Sequence, residues 1–492
     1  MSWSIREAKP FRPARQETDW RERRTNPEGR TSAVVTAGTF SSFQESHYQL
    51  VLRALETVKQ IDQNCARALD RLAGKTAFVK VNFTQTPGTD RAKSAINELN
   101  SGIWTNVYAV QAVVDFLIAL DVQEILIGEA CPWPPGYTKQ AYDECGYTSL
   151  FQESPYINRV SLLDTATATR RKGRILSDRA QERVTVSLRN TPYADIIEKR
   201  IRSMIAVSQL PEENLIKKSL EFSFNKVLER VDLLVNLAKL KTHAQAYVTG
   251  AVKNLYGLLE PPFERWYSHL NVEPLTQDSQ RDKLCYSYDY LNTRIAANAS
   301  AVRLLRLRRA VPELDLIEAG WWAIEGAGPG WQGKHRRESV VAATFDSAAS
   351  LDQVALELMF NEDKNGYDER FANIARLFLR KKNISEQSEV GQAILREHKS
   401  VGQMQEFSNK LGLGTVDSSQ INITLLHKDR QPSNLRDMRT GGPFEHPRTV
   451  AEATCVTSHA YGPLFKERPE LKRDVIVVVE EKSRWKEILG IA

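Results

Sequence analysis

Cysteine is scarce in this chain, and none of it is arranged for metal binding. The five cysteines stand at 65, 131, 145, 285 and 455, with no Cys-x-x-Cys among them. That scatter argues against a disulfide framework and against a ferredoxin-type cluster, so no iron–sulfur cluster is expected. Long apolar runs are also missing: nothing approaches the roughly 18 residues of a membrane-spanning helix. The opening stretch MSWSIREAKPFRPARQETDW mixes acids with arginines and has no apolar core of signal-peptide type, which leads us to expect a cytoplasmic protein without a membrane partner. Charge of one sign is barely in excess, 67 basic against 61 acidic residues for a net +6. With so small an excess and no aromatics interleaved among the basic clusters, nucleic acid is not an expected partner. The glycine-rich stretch that begins Glu325-Gly-Ala-Gly-Pro-Gly is not read as a dinucleotide-binding fingerprint, because Pro329 stands where a phosphate would need a backbone donor.

What the chain does contain is alternation. Its 492 residues suffice for two or three domains. Short β-branched runs are expected as strands at 33–37, 78–83, 124–128, 159–163, 184–188, 231–235, 314–317, 340–344, 421–426 and 474–479. Helical periodicity fills 45–73 and 107–120. This pattern predicts an α/β fold, a mainly parallel sheet flanked by helices. Residues 1–32 read as a mobile polar arm and 33–360 as the α/β core, in one or two lobes. Residues 361–412 are charged and helically periodic and read as a helical insertion or subdomain. Residues 413–492 return to a strand–helix unit as a C-terminal α/β segment.

The segment 231–260, VDLLVNLAKLKTHAQAYVTGAVKNLYGLLE, stands out from the rest. An apolar strand ends near Asn236, and Lys239, Lys241, His243, Lys253 and Asn254 follow within a few turns of chain. Ligands in open α/β sheets gather at the carboxyl ends of strands, where loops carry polar groups without disturbing the sheet. Cations and amides there suit a small anionic molecule or a metal-bearing ligand. Three other strands also run into polar or glycine-rich residues: Lys80 and Asn82 on 78–83, Glu129 after 124–128, and Gly326 and Gly328 beyond 314–317. In a parallel sheet these four loops are expected to meet at one edge. Lys80 and Asn82 alternate with Val79, Val81 and Phe83, which suits a structural hydrogen-bond role or a ligand role equally. His243 lies between Lys241 and Lys253; like charge favours its neutral ring, which can act as an acid–base group or a metal ligand. Asp346 is expected to cap the helix that starts near Ser347.

The motif K-L-K-T-H, then V-T-G-A-V-K-N-L-Y-G, resembles the signature of the domain-of-unknown-function 362 family. The stretches FVKVNF, 105–130, 317–333 and 342–359 are similar to that family in the same order, from about Thr76 to Met359. The family's fold is similar to that of nickel-pincer lactate racemase, in which a cofactor lysine lies between two histidines. The resemblance implies Lys253 and Asn254, with Lys80, Asn82, Gly326 and Gly328, as cofactor-binding groups, and His269 as a metal ligand. His243, Lys241 and Glu129 would be catalytic, with His243 as acid–base and Lys241 holding the anion. The chain departs from the pattern in having Glu318 where the family has aspartate. It also departs in offering Glu129 and Cys131 where the racemase has a catalytic histidine. The expected function is an enzyme acting on a small anionic substrate in a strand-end cleft, by cofactor- or metal-assisted racemase-like or redox chemistry. A non-catalytic cofactor- or metal-binding assembly protein, and an oxidoreductase of a biosynthetic pathway, are the alternatives.

Overall fold

A computed structural model describes residues 21–25, 31–38, 40, 43–83, 104–129, 137–171, 174–205, 212–243, 247–262, 265, 288–319, 339–359, 385–388, 392, 401–432 and 434–438. Its centre is a nine-stranded sheet. The strands are β1 (Arg21–Thr25), β2 (Thr31–Gly38), β3 (Thr76–Lys80), β4 (Glu124–Glu129), β5 (Val160–Asp164), β10 (Leu233–Lys239), β14 (Glu313–Ala319), β15 (Ser339–Phe345) and β16 (Ile421–His427). They lie in the order β1-β16-β2-β15-β14-β10-β3-β4-β5. Five contiguous strands, β14 to β5, are parallel, as are β16 and β2, while β15 and β1 run against their neighbours. The α/β fold with a mainly parallel sheet holds.

Smaller sheets decorate this one. Strands β6 (Ala168–Arg171) and β7 (Arg174–Asp178) pair as a hairpin. Strands β8 (Arg183–Ser187), β9 (Glu221–Asn225) and β13 (Leu259–Glu260) form a three-stranded antiparallel sheet. The run at 184–188, expected in the main sheet, belongs to this second one. Its alternation buries Val186 while Thr185 and Ser187 are exposed, the pattern of a one-sided sheet rather than of a strand covered on both faces.

Period-two alternation sends the central side chains to opposite faces. From β10, Leu233, Val235 and Leu237 enter one apolar cluster, while Leu234 and Ala238 enter the other. The first is covered by α1 (Phe43–Ile61), α2 (Gln63–Leu69), α3 (Val107–Ala119), α4 (Tyr137–Glu144) and α5 (Tyr147–Phe151). The second is covered by α6 (Tyr193–Ile205), α7 (Glu212–Leu220), α8 (Ala251–Leu255), α9 (Tyr288–Leu307), α10 (Ala348–Met359) and α11 (Val401–Lys410). Burial on both faces explains why β10 and β15 read as near-continuous apolar runs.

Two boundaries differ from the expectation. Residues 21–25, placed in a mobile arm, form an edge strand against β16, which gives their backbone groups partners. The end of the charged insertion, α11, docks on the main core through Phe407 rather than standing apart. Most of 361–400 and the strand expected at 474–479 lie outside the described residues.

Candidate functional site

Three polar side chains stand in one row across three central strands. Asn236 on β10 is in register with Lys80 on β3 and with Asp315 on β14. All three are fully buried, on the sheet face that carries α8. The Asn236 amide donates to Asp315 Oδ1 (2.8 Å) and to the Ala251 carbonyl (3.0 Å), and it accepts from the Asn254 amide at 2.8 Å. Asn254 Oδ1 in turn faces the Lys80 amine (3.4 Å) and the Asn82 amide (3.3 Å). The strand thus continues past Asn236, where the sequence reading ended it, because buried polar atoms there find partners on both sides. Burial and the neighbouring Glu313 push the Asp315 carboxyl well above its usual range.

The Lys80 amine forms a buried ion pair with Glu129 Oε2 at 2.7 Å and also donates to the Val81 carbonyl at 2.5 Å. Glu129 holds Arg265 through its other oxygen at 3.6 Å and accepts from the Phe83 amide at 3.3 Å. The carboxyl ends of β3 and β4 are thereby tied to the segment after α8. Gly257 makes this approach feasible: a Cβ there would lie 2.6 Å from the Lys80 amine and 3.1 Å from Glu129 Oε1. The glycine of the L-Y-G motif is a matter of space, not of backbone angle.

Lys253 is the most perturbed base of the cluster. It is half-buried and makes no hydrogen bond or ion pair with any described side chain. Burial, then the positive charges of Arg265 and Lys80, bring its amine down to about 7. Close by in charge, Glu260 is buried, and burial pushes its carboxyl up to about 8 despite two hydrogen bonds from Thr167 to Oε2. Near neutral pH Glu260 is therefore protonated, a neutral acid at the edge of this group of charged side chains.

The helix that presents Lys253 and Asn254 is fastened from behind. Asp352 Oδ1 accepts from the Ala251 amide at 2.5 Å, and its Oδ2 accepts from the Val252 amide at 3.2 Å. Burial raises the Asp352 carboxyl to about 7. Asp346, by contrast, does not act as the expected helix cap. With φ of +49° it turns back so that its carboxylate accepts from the Glu313 amide and from Arg306, each at 3.0 Å. Asp315 takes the Ser347 amide instead, at 3.2 Å.

Lys239 also departs from the expectation. It is the last residue of β10, and its parity sends it to the opposite face of the sheet from Lys80. There it pairs with Glu318 at 2.8 Å, both side chains fully buried, with His47 Nδ1 at 3.4 Å from the same carboxylate. Burial and Lys239 keep His47 well below its usual range, hence neutral. Lys239 is an internal tie, not a loop cation. The Lys241–His243 stretch forms strand β11, paired with β12 (Tyr247–Thr249) so that His243 opposes Tyr247 and Lys241 opposes Thr249 in a hairpin. Gly326, Gly328 and His269 lie outside the described residues.

Of the expected site, Lys80, Asn82, Glu129, Lys253 and Asn254 come together. Arg265, Asn236, Asp315, Glu260 and Asp352 join them without having been selected from the sequence. An Arg three residues past a Pro-Pro pair and an Asn inside an apolar strand give no local signal. Of the cofactor that the resemblance implies, the lysine arm suits what is described, since the Lys253 amine has no hydrogen bond or ion pair among the described residues, Glu129 acting on it only through charge. Among the described residues no group of three or more His, Cys, Asp or Glu is placed to hold a metal. No described helix is long and apolar enough to cross a membrane.

A buried polar row under a short, lysine-bearing helix at the strand ends defines an α/β protein with a strand-end polar cluster. Residues 187–357 match the model of the family described as "Domain of unknown function (DUF362)". The matched segment contains β10, α8 and β14, while the stretches at 78–83 and 105–130 precede it. None of the curated proteins matches the chain. Among solved structures, a crystal structure from Thermotoga maritima, Northeast Structural Genomics Consortium target VR152, is similar at 9% identity with a TM-score of 0.33. The match covers 56% of this chain and 51% of that one, so this chain spans about half the length of the structure it matches.

Proposed function

We propose that the chain is an enzyme that binds a small anionic molecule at the carboxyl ends of β3, β4 and β10 and acts on it through the Lys253 amine. The observation that carries this reading is the Lys253 amine itself, without a described ion-pair partner and held near 7 by burial, Arg265 and Lys80. Such an amine is about half neutral at physiological pH, whereas an ordinary lysine, with a pKa of about 10.4, is almost wholly protonated. A neutral amine can take up a proton or attack an electrophile, and strongly perturbed groups of this kind cluster at functional sites. Arg265 supplies a forked donor for a carboxylate or phosphate, and Lys80 adds charge from beneath. Glu129 positions both cations.

Competitive acylation of the full chain with trace acetic anhydride, mapped by peptide mass spectrometry across pH, tests the reading. Lys253 is expected to titrate near 7 and to react faster at neutral pH than surface lysines. Small carboxylates or phosphate are expected to slow it selectively. A Lys253 profile like that of the surface lysines, indifferent to anions, would overturn the proposal.

A further inference from the structure

The strand-end cluster continues past Lys80 on the same face of the sheet. Gly128 on β4 is in register with Lys80, and its missing side chain leaves room for the Phe78 ring and for Thr165, whose methyl would lie 3.1 Å from a Cβ there. Thr165 is anchored to β4, its amide donating to the Glu129 carbonyl at 3.2 Å. Two residues further on, the Thr167 amide and hydroxyl both donate to Glu260 Oε2, each at 2.8 Å. Glu260 itself stands three residues beyond Gly257, the glycine that makes room for Lys80 and Glu129. Two polar atoms of this group are buried with no hydrogen-bond partner among the described residues, Thr165 Oγ1 and Glu260 Oε1. Resting on the anion-binding reading above, we propose that these two groups donate hydrogen bonds to an oxygen of the bound anion, with Glu260 as the acid of the site.

Which oxygen donates follows from the hydrogen bonds. Oε2 already accepts twice, so a proton on this carboxyl sits on Oε1, where no acceptor meets it. Burial keeps that proton in place: it raises the carboxyl to about 8, outweighing the two Thr167 bonds and the charges of Arg265 and Arg183. Each of those cations has a carboxylate of its own. Arg183 pairs with Asp178 on β7 and also donates to the Thr167 hydroxyl, Arg265 faces Glu129, and the residue opposite Glu260 on β9 is the uncharged Ser223. A buried donor left unmet is costly, and an oxyanion drawn in by Arg265 and Lys80 would satisfy both donors at once. A buried carboxyl that holds its proton is suited to such a role, because a carboxylate in the same place would repel the ligand. The oxygen that meets Glu260 is therefore an acceptor, of carboxylate, carbonyl or phosphoryl type.

The test uses acetate, whose charge is constant above about pH 6. Its binding to the full-length chain is followed by broadening of its proton NMR signal, from about pH 6 to about pH 9.5, across the range in which Glu260 titrates. Glu260→Gln keeps a donor in place of the Oε1 hydroxyl and has no proton to lose, so the ratio of wild-type to variant affinity cancels the titration of other groups. That ratio is expected to be level below about pH 7 and to fall about tenfold per unit above about 8, as the carboxyl ionises. Thr165→Val is expected to fold as the wild type does, since its hydroxyl has no partner to lose, and to weaken acetate about tenfold at every pH. A ratio that is flat with pH, or a valine variant that binds acetate as the wild type does, overturns the proposal; the anion-binding reading then stands if acetate slows acylation of Lys253. If acetate neither binds nor slows that acylation, both fall. Where Glu260→Gln fails to fold, the valine variant decides alone.

Discussion

The tie between Gly250 and Asp352 yields a prediction that separates packing from charge. Gly250 has an extended backbone, φ −123° and ψ −155°, that any residue adopts, so conformation does not demand glycine there. Space does: a Cβ would run into the Asp352 carboxylate, falling on Oδ1 and 2.7 Å from its carbon. Overpacking of this kind costs roughly 1–3 kcal/mol. Removing the acid is less simple. Asp352→Ala gives up two hydrogen bonds from backbone amides to a charged acceptor, about 1.5–3 kcal/mol each. It also relieves a buried carboxyl whose pKa has risen from 3.8 to about 7, which corresponds to roughly 4 kcal/mol once the group is ionised. The single substitution is therefore a small difference between large terms. The coupling is not. In the Asp352→Ala background the added methyl of Gly250→Ala enters vacated space, and the gain from a stiffer unfolded chain, about 0.4–1 kcal/mol, is no longer masked. A double-mutant cycle at pH 8, by urea denaturation with tryptophan fluorescence, should return a coupling of about 2 kcal/mol in favour of the double variant. Additive single effects, within about 0.5 kcal/mol, would show that the glycine is not held by the carboxylate and would refute the account of how α8 is fastened.

Glu260 should make stability depend on pH. Its folded-state pKa is raised from 4.5 to about 8, so the folded chain keeps a proton that the unfolded chain releases between those values. Its contribution is full below about pH 4.5 and is lost as pH climbs to about 8, by at most roughly 5 kcal/mol. Glu260→Gln carries no such proton and should flatten the pH–stability curve, whereas parallel curves for variant and wild type would count against the assignment. Lys80→Met and Lys239→Met each leave a buried carboxylate without its lysine, and each should cost about 3–5 kcal/mol by denaturation. Only Lys80→Met should slow acylation of Lys253 at pH 7, because removing a like charge raises that amine's pKa; an equal effect from Lys239→Met would contradict the two-face separation. Gly257→Ala should destabilise by roughly 1–3 kcal/mol, since its methyl meets the Lys80 amine, and a neutral result would mean that Lys80 moves freely.

Most of the framework was legible because strands buried on both faces leave a strong apolar signature, as at 231–235, 314–317 and 340–344. The gathering of Lys80, Glu129 and Asn254 was legible as well, from strand ends that carry polar residues. Parity was not. Lys239 and Lys80 look alike in sequence, and only the register of β10 against β14 and β3 puts them on opposite faces. Arg265 and Glu260 could not be found by pattern, because their environment is made by segments far apart in the chain: Thr167, Glu129 and Lys253. The misplaced cap at Asp346 has the same origin. Its preference for a helix start is local, but Arg306 and the Glu313 amide, distant in sequence, compete for the carboxylate and win.

The order of strands also dictates how the chain must come together during synthesis. Strand β2, TSAVVTAG, is made about 300 residues before its first neighbour, residues 339–345, and still longer before its second, 421–427. Until those emerge from the ribosome, β2 lacks the partners that cover its two edges, and bare strand edges readily recruit other chains. β1 waits as long, since it pairs with β16. The helix α1, which packs on β2, can shield a face of it early but not its edges. A chain cut before residue 421 lacks β16, so one edge of β2 stays uncovered, and such truncations should accumulate as insoluble material even where the strand-end cluster itself is complete.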